Sequence, residues 1–245
     1  MKKLLILAVI LATALSGCSS GRARREMPID QRMAIANDYY EAGNYRKAID
    51  YYIDVVFERR SIHTPLAQFR LGESYFNMGR YDDAVFEYRE LIRLFPEFDQ
   101  INIAYFRIGE AMHRQSLSAH YSQEETQAAI EAFNIFLDRF PFDEKKDEAI
   151  SYIQDAQYTL LEKKYLNGYI YYKLFDYSAA LLYLDEVIEI GIRDEIDRKS
   201  RYYAARIHIE RGDQEKAREM VDSLQEYYPD TRMTTRVTRL YNNSF

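Results

Sequence analysis

Apolar residues recur along most of this chain at helical spacing, in runs separated by glycine or proline. Residues 66–96, LAQFRLGESYFNMGRYDDAVFEYRELIRLFP, show the pattern most clearly and predict two short helices folded back on each other. Gly79 breaks the first helix. Asp82 and Asp83 fall in the first turn of the second, where the helix dipole favours negative charge. Pro96 ends it, because the residue before a proline is pushed out of helical geometry. Small residues, Gly72 and Ala84, stand where the helices would cross, and Tyr75, Tyr81 and Tyr88 fill the space around the crossing.

The same spacing returns along the chain. Ala36, Tyr39, Gly43, Tyr45, Ala48 and Tyr52 repeat it 36 residues upstream, with Arg60 in place of the closing proline and Pro65 opening the next unit. A third copy has Ile108-Gly109, Ala129, Phe133 and Pro141, but Gly109 to Ala129 is 20 residues where Gly72 to Ala84 is 12. The excess lies at about 115–125, QSLSAHYSQEE, whose polar content predicts an extended loop with Ser122 or Gln123 near the next helix start. Gly168, Tyr171, Tyr177, Ala180 and Leu184 form a fourth copy. Residues 143–173 before its turn hold no proline, and Ala149, Tyr152, Ile153, Ala156 and Leu160 keep helical spacing. One helix of about 28 residues, ~42 Å long, is predicted there, joining the third and fourth units rigidly. Ala205, Gly212, Ala217, Val221, Leu224 and Pro229 make a fifth copy, and Tyr228-Pro229 repeats the Phe95-Pro96 and Phe140-Pro141 endings. A last helix has Met233, Val237, Leu240 and Tyr241 on one face and Arg232, Arg236 and Arg239 on another.

This order of residues resembles the tetratricopeptide repeat. One departure is Gln68, where the repeat usually opens with an aromatic, and the chain has no Trp. The fold implied is all-α: a tetratricopeptide-repeat superhelical solenoid of five helix pairs with a C-terminal capping helix. Repeats 1–3 are assigned to residues 29–141, and the long helix, repeats 4–5 and the cap to 142–245.

Composition adds outer bounds. A chain of 245 residues that is 47% hydrophobic and 29% charged is globular, and its formal charge of −6 argues against nucleic acid as a general partner. The single Cys excludes an internal disulfide. Lys2 and Lys3 precede an apolar run, residues 4–15, that is an export signal and too short to span a bilayer as a helix. Leu15-Ser16-Gly17-Cys18 closely resembles a bacterial lipobox. That resemblance makes residues 1–17 a lipoprotein signal peptide, Cys18 the acylated residue and 18–28 a flexible tether. Arg22, Arg24 and Arg25 in the tether either touch anionic headgroups or are merely solvated. Ser19, rather than Asp, after the Cys favours the outer membrane under the sorting rule of enteric bacteria.

No reactive constellation is present. His63, His113, His120 and His208 share no metal-ligand spacing, and there is no nucleophile motif, phosphate-binding glycine loop or HExxH. No enzyme activity, cofactor or metal is expected. In this repeat class the first helix of each pair lines the concave side. Tyr40, Phe69, Phe76 and Phe106, with Glu73 and Glu110, would then form a partly apolar trough edged by carboxylates, fit for an extended or helical peptide. Alternatively, some of these aromatics are core of the adjoining unit. Arg193, Arg198 and Arg201 could pair with an acidic partner surface, or be solvated.

Taken in order, the lipobox at Cys18, the short basic tether, the five repeats, the enlarged third repeat and the long helix resemble the BamD (YfiO) family of outer-membrane assembly lipoproteins. That resemblance implies a subunit of the β-barrel assembly machinery, lipid-anchored in the outer membrane and facing the periplasm. Its partners would be a BamA-type Omp85 barrel protein, bound through POTRA domains, unfolded barrel precursors and other lipoproteins of the machinery. The alternative is a repeat-containing adaptor lipoprotein that organises peptidoglycan hydrolases or other envelope complexes.

Overall fold

The computed structural model describes residues 24–58 and 61–245. Cys18, the apolar run before it, Arg22 and Arg60 lie outside these. Among the described residues there are eleven helices and no strand. They are α1 (Ile29–Glu41), α2 (Tyr45–Val56), α3 (Thr64–Asn77), α4 (Tyr81–Leu94), α5 (Ile101–Gln115), α6 (Glu124–Arg139), α7 (Lys146–Lys173), α8 (Tyr177–Ile190), α9 (Glu195–Arg211), α10 (Gln214–Tyr227) and α11 (Arg232–Ser244). Contacts divide the chain into two compact units. The first holds the described residues up to 115 together with 128–152, and the second holds 116–127 and 153–245. The division therefore falls inside α7, between Tyr152 and Ile153.

Helix crossings explain the small residues. A methyl group on Gly72 would stand 2.7 Å from the ring of Tyr88, and one on Gly109 would stand 2.7 Å from Phe133. Both rings are fully buried. In the second unit Gly168 meets Leu184 in the same way, at 2.8 Å. The proline endings repeat as well. Phe95 and Tyr228 leave helical geometry with φ of −136° and −140°, directly before Pro96 and Pro229. The helix predicted before the fourth turn is α7, 28 residues long. The inserted loop runs over 116–123, where buried Gln123 donates to the carbonyls of Ser118 and Tyr121 and accepts from the Thr126 hydroxyl. In the second unit Met233, Leu240 and Tyr241 of α11 pack on Val221 and Leu224, as a capping helix should.

Turns between paired helices need a left-handed residue. Gly43, Gly79 and Gly212 supply it with φ of +71°, +71° and +74°. The fourth repeat places Phe175 there at φ +61°, a conformation costing an L side chain roughly 1–2 kcal/mol.

One residue near the start of the structure departs from the sequence reading. Arg24, assigned to the flexible tether, is ion-paired with the buried carboxylate of Asp54 and lies 5.3 Å over the Tyr51 ring. Gln68, the residue in place of the usual aromatic, is buried and donates to Glu87. Burial, followed by the charges of Glu90 and Asp83, pushes the Glu87 carboxyl up to about 7 from 4.5. An acid whose folded pKa is raised binds its proton more tightly when folded. Its contribution is full at low pH and is lost as pH rises from the ordinary carboxylate range through about 7. Glu87→Gln should therefore flatten the pH dependence of the melting temperature between pH 5 and pH 8. It should also melt above the parent at pH 8, which thermal melts at the two pH values would check.

Candidate functional site

The first helices of the pairs can be aligned on the small crossing residue: Ala36, Gly72, Gly109, Gly168 and Ala205. Three residues before it stand Met33, Phe69, Phe106, Tyr165 and Tyr202, all buried. Phe69 and Phe106 are thus not lining residues of an open trough, which corrects the expectation for them. Phe69 is 5% exposed and packs on Tyr88 and Phe98, with ring centroids 6.2 and 5.7 Å away. Phe106 is 1% exposed and sits among Phe133, Phe136 and Tyr152. Their register points them into the packing between helices, where each buried aromatic contributes about 1.5–3 kcal/mol.

One residue after the crossing residue stand Asn37, Glu73, Glu110, Tyr169 and Arg206. In the first unit this row is neutralised internally. Tyr52 donates to Asn37 at 2.8 Å, and Tyr88 donates to Glu73 at 2.5 Å. Arg107, from the following repeat, donates to Glu73 at 2.9 Å and to Glu110 at 2.5 Å. Arg114 closes on Glu110 at 3.2 Å. Burial alone would lower the Arg107 pKa, but Glu73 and Glu110 outweigh it and raise it, so the guanidinium stays charged. Glu73 and Glu110, expected to edge the trough, are therefore buried and engaged by Arg107.

Two arginines act as wedges between repeats. Arg70 lies 4.4 Å over the Tyr40 ring and 3.6 Å from Glu41, and Arg107 lies 4.8 Å over Phe76. Tyr40 and Phe76 are half-buried beneath these guanidiniums. What the first unit presents on this face is a rim of arginine stacked on aromatic rings.

The second unit differs at the positions of Arg70 and Arg107 and of Glu73 and Glu110. Tyr203 stands where Arg70 and Arg107 do, and its ring lies 5.0 Å from Tyr169 and 4.8 Å from Tyr172. Burial, with Tyr169 beside it, raises the Tyr203 hydroxyl to about 12 and keeps it a hydrogen-bond donor. Tyr169, Tyr172, Lys173, Phe175, Tyr203, Arg206 and Glu210 line a half-open hollow of about 310 Å³. Arg206 lies 5.4 Å from the Tyr172 ring centroid and 3.8 Å from Glu210, which also accepts from the Tyr177 hydroxyl. The Arg206 Nε is buried and has no hydrogen-bond partner among the described residues. The residue equivalent to Tyr88 here is Val221, which offers no hydroxyl.

The arginines expected to meet a partner have separate fates. Arg201 is 9% exposed and bonds both oxygens of buried Asp197, which also accepts from Tyr228 at 2.7 Å. It is an internal ion pair, which corrects its assignment to a partner surface. Arg193 is exposed and stacks 4.0 Å over Tyr227, and Arg198 is half-buried. The four hollow-lining residues Tyr169, Tyr172, Tyr203 and Arg206 were missed from sequence, although the same alignment on the crossing residue singles them out.

Comparison with known proteins agrees with this architecture. Tetratricopeptide-repeat sequence profiles match residues 33–97, 69–144 and 199–231. This is a tetratricopeptide-repeat protein. Its fold is an all-α solenoid of helix pairs, and such repeats serve protein–protein interaction. The tetratricopeptide-repeat chain is 24% identical over 193 residues to the outer membrane protein assembly factor BamD of Caulobacter vibrioides, covering 75% of this chain. It spans 62% of that relative's length. Among solved structures, the tetratricopeptide domain of P58(IPK) is 18% identical with a TM-score of 0.44, covering 87% of this chain and 55% of that one. MamA from Desulfovibrio magneticus RS-1 is 14% identical with a TM-score of 0.43, covering 83% and 97%. No described helix is long and apolar enough to cross a membrane.

Proposed function

We propose that this tetratricopeptide-repeat protein is a lipid-anchored subunit of the β-barrel assembly machinery, held at the periplasmic face of the outer membrane. The likeness to the Caulobacter assembly factor carries this reading. The lipobox ending at Cys18 supports the anchor, since two or more acyl chains hold a protein firmly to a bilayer while one does not. In this role the repeats hold an Omp85-type barrel protein through its POTRA domains, together with unfolded barrel precursors and other lipoproteins of the machinery. Arg193 and Arg198 remain candidates for the partner surface of the second unit, and Tyr40 and Phe76 for the receiving rim of the first.

Two experiments test this. Cys18→Ala should move the mature protein from the membrane fraction to the soluble fraction, and firm retention would remove the lipid anchor from the account. Capture of the tagged chain from detergent-solubilised native membranes should recover an Omp85-type barrel in near-equal amount by mass spectrometry. Recovery of peptidoglycan hydrolases without the barrel would favour the adaptor role instead.

A further inference from the structure

We infer that the connection between α2 and α3 rests in the bilayer interface, with Phe57 and Ile62 seated among the upper acyl chains as a second membrane contact beside the lipid anchor. This rests on the reading of Cys18 as the acylated residue and goes beyond it, because it assigns a membrane-binding surface to the folded first repeat.

Phe57 and Ile62 are 78% and 89% exposed. The backbone that displays them is tied down by hydrogen bonds. The Glu58 carbonyl accepts from the Ser61 amide at 2.9 Å and from the Thr64 hydroxyl at 3.0 Å, and the His63 amide donates to the Ser61 hydroxyl at 3.1 Å. Thr64 is itself buried. One exposed apolar side chain calls for no explanation, but two large ones held out from a hydrogen-bonded connection do.

The place where the chain enters the fold says what covers them. Arg24 is ion-paired with Asp54. Asp54 and Phe57 stand three residues apart at the end of α2, so their side chains are neighbours on its surface. Cys18 precedes Arg24 by six residues, a reach of at most about 20 Å even when fully extended. A bilayer that holds Cys18 is therefore close to Phe57 in every arrangement of the tether. At that distance a contact made by two side chains counts, because the tether makes it intramolecular.

The charges at this end suit the same occupant. Taking a loop out of water is costly where carboxylates go unpaired. Here Asp54 is paired with Arg24, Glu58 with Arg32, and Asp30 with His63 at 2.6 Å. The connection between α6 and α7 in the same unit is the contrast. Phe142 is 97% exposed there, but Glu144 close by in the chain has no ion-pair partner among the described residues. An apolar surface lying on a bilayer sinks to the boundary of headgroups and acyl chains, about 5–10 Å deep.

The chain has no Trp and one Cys, which allows a direct test. The chain from Cys18 onward, carrying Phe57→Trp, is coupled through the Cys18 thiol to a maleimide-headed lipid in phosphatidylethanolamine/phosphatidylglycerol vesicles. The reporter should shift to the blue and lose about half of its emission to lipids brominated near the top of the acyl chains. Phe142→Trp, coupled alike, should do neither. With a single-chain lipid on Cys18, retention on the vesicles is marginal. Phe57→Ser with Ile62→Ser should then lower the partition onto vesicles about 10-fold. The double variant should keep the parental melting temperature, since both side chains are exposed. A reporter at Phe57 that brominated lipid leaves bright, equal quenching at Phe142, or parental retention of the double variant would overturn the inference. A blue shift without bromine quenching would assign the surface to a second copy of this chain, which also overturns it. Coupling installs the tether chemically, so these outcomes do not depend on acylation in the cell. Failure of the anchor reading shows separately, as firm membrane retention of Cys18→Ala, because two side chains alone are too weak to hold the protein there.

Discussion

Gly72→Val should lower the unfolding free energy by about 3 kcal/mol, the upper part of the usual range for overpacking a filled core. The first added carbon would already stand 2.7 Å from one Tyr88 ring carbon and 2.9 Å from the next. That ring cannot swing aside. Tyr88 is fully buried, and its hydroxyl is held by Glu73. The helices must therefore part, and Leu71, Leu91 and Ala67 around them are buried too. Gly79→Ala is the comparison. No atom lies within 4 Å of an added methyl there, so the cost is only the left-handed backbone, about 1–2 kcal/mol. Urea titrations of the two variants check the order. Equal midpoints would mean that close helix approach does not set the identity of the crossing residue.

Arg107→Met should cost about 3–5 kcal/mol, the usual penalty for removing one partner of a buried ion pair. Methionine keeps much of the apolar stem over Phe76, so what is lost is the cation. Glu73 would retain only the Tyr88 hydroxyl, and Glu110 only Arg114. Two buried carboxylates would then share one cation fewer, and adding Glu73→Gln should recover part of the loss. Denaturant melts with and without the second substitution give the answer. No recovery in the double variant would show that Arg107 acts by packing alone.

The helix pairs were legible because their causes are local. Gly72, Ala84, Gly79 and Pro96 each dictate backbone behaviour within a few residues, and α7 follows from a long stretch without a breaker. The trough was misread at Phe69 and Phe106 because the first helix is covered on more than one side. A large residue stands at that place in every repeat, from Met33 to Tyr202, and such uniformity marks a packed position. The Arg201–Asp197 pair was open to reading, since four residues on one helix bring the groups together. The Arg107–Glu73 pair was not. Its partners are 34 residues apart and meet only once consecutive repeats stack. Phe175 shows its strain only when the backbone is seen, although its alignment with Gly43, Gly79 and Gly212 already sets it apart.

The most direct measurement of the assembly role is depletion of the protein in its native cells, with outer-membrane proteins quantified as its level falls. The account predicts that integral β-barrel proteins decline together in the outer membrane while lipoproteins without a barrel hold their level. Unchanged barrel proteins, accompanied by altered cell-wall hydrolysis, would contradict it.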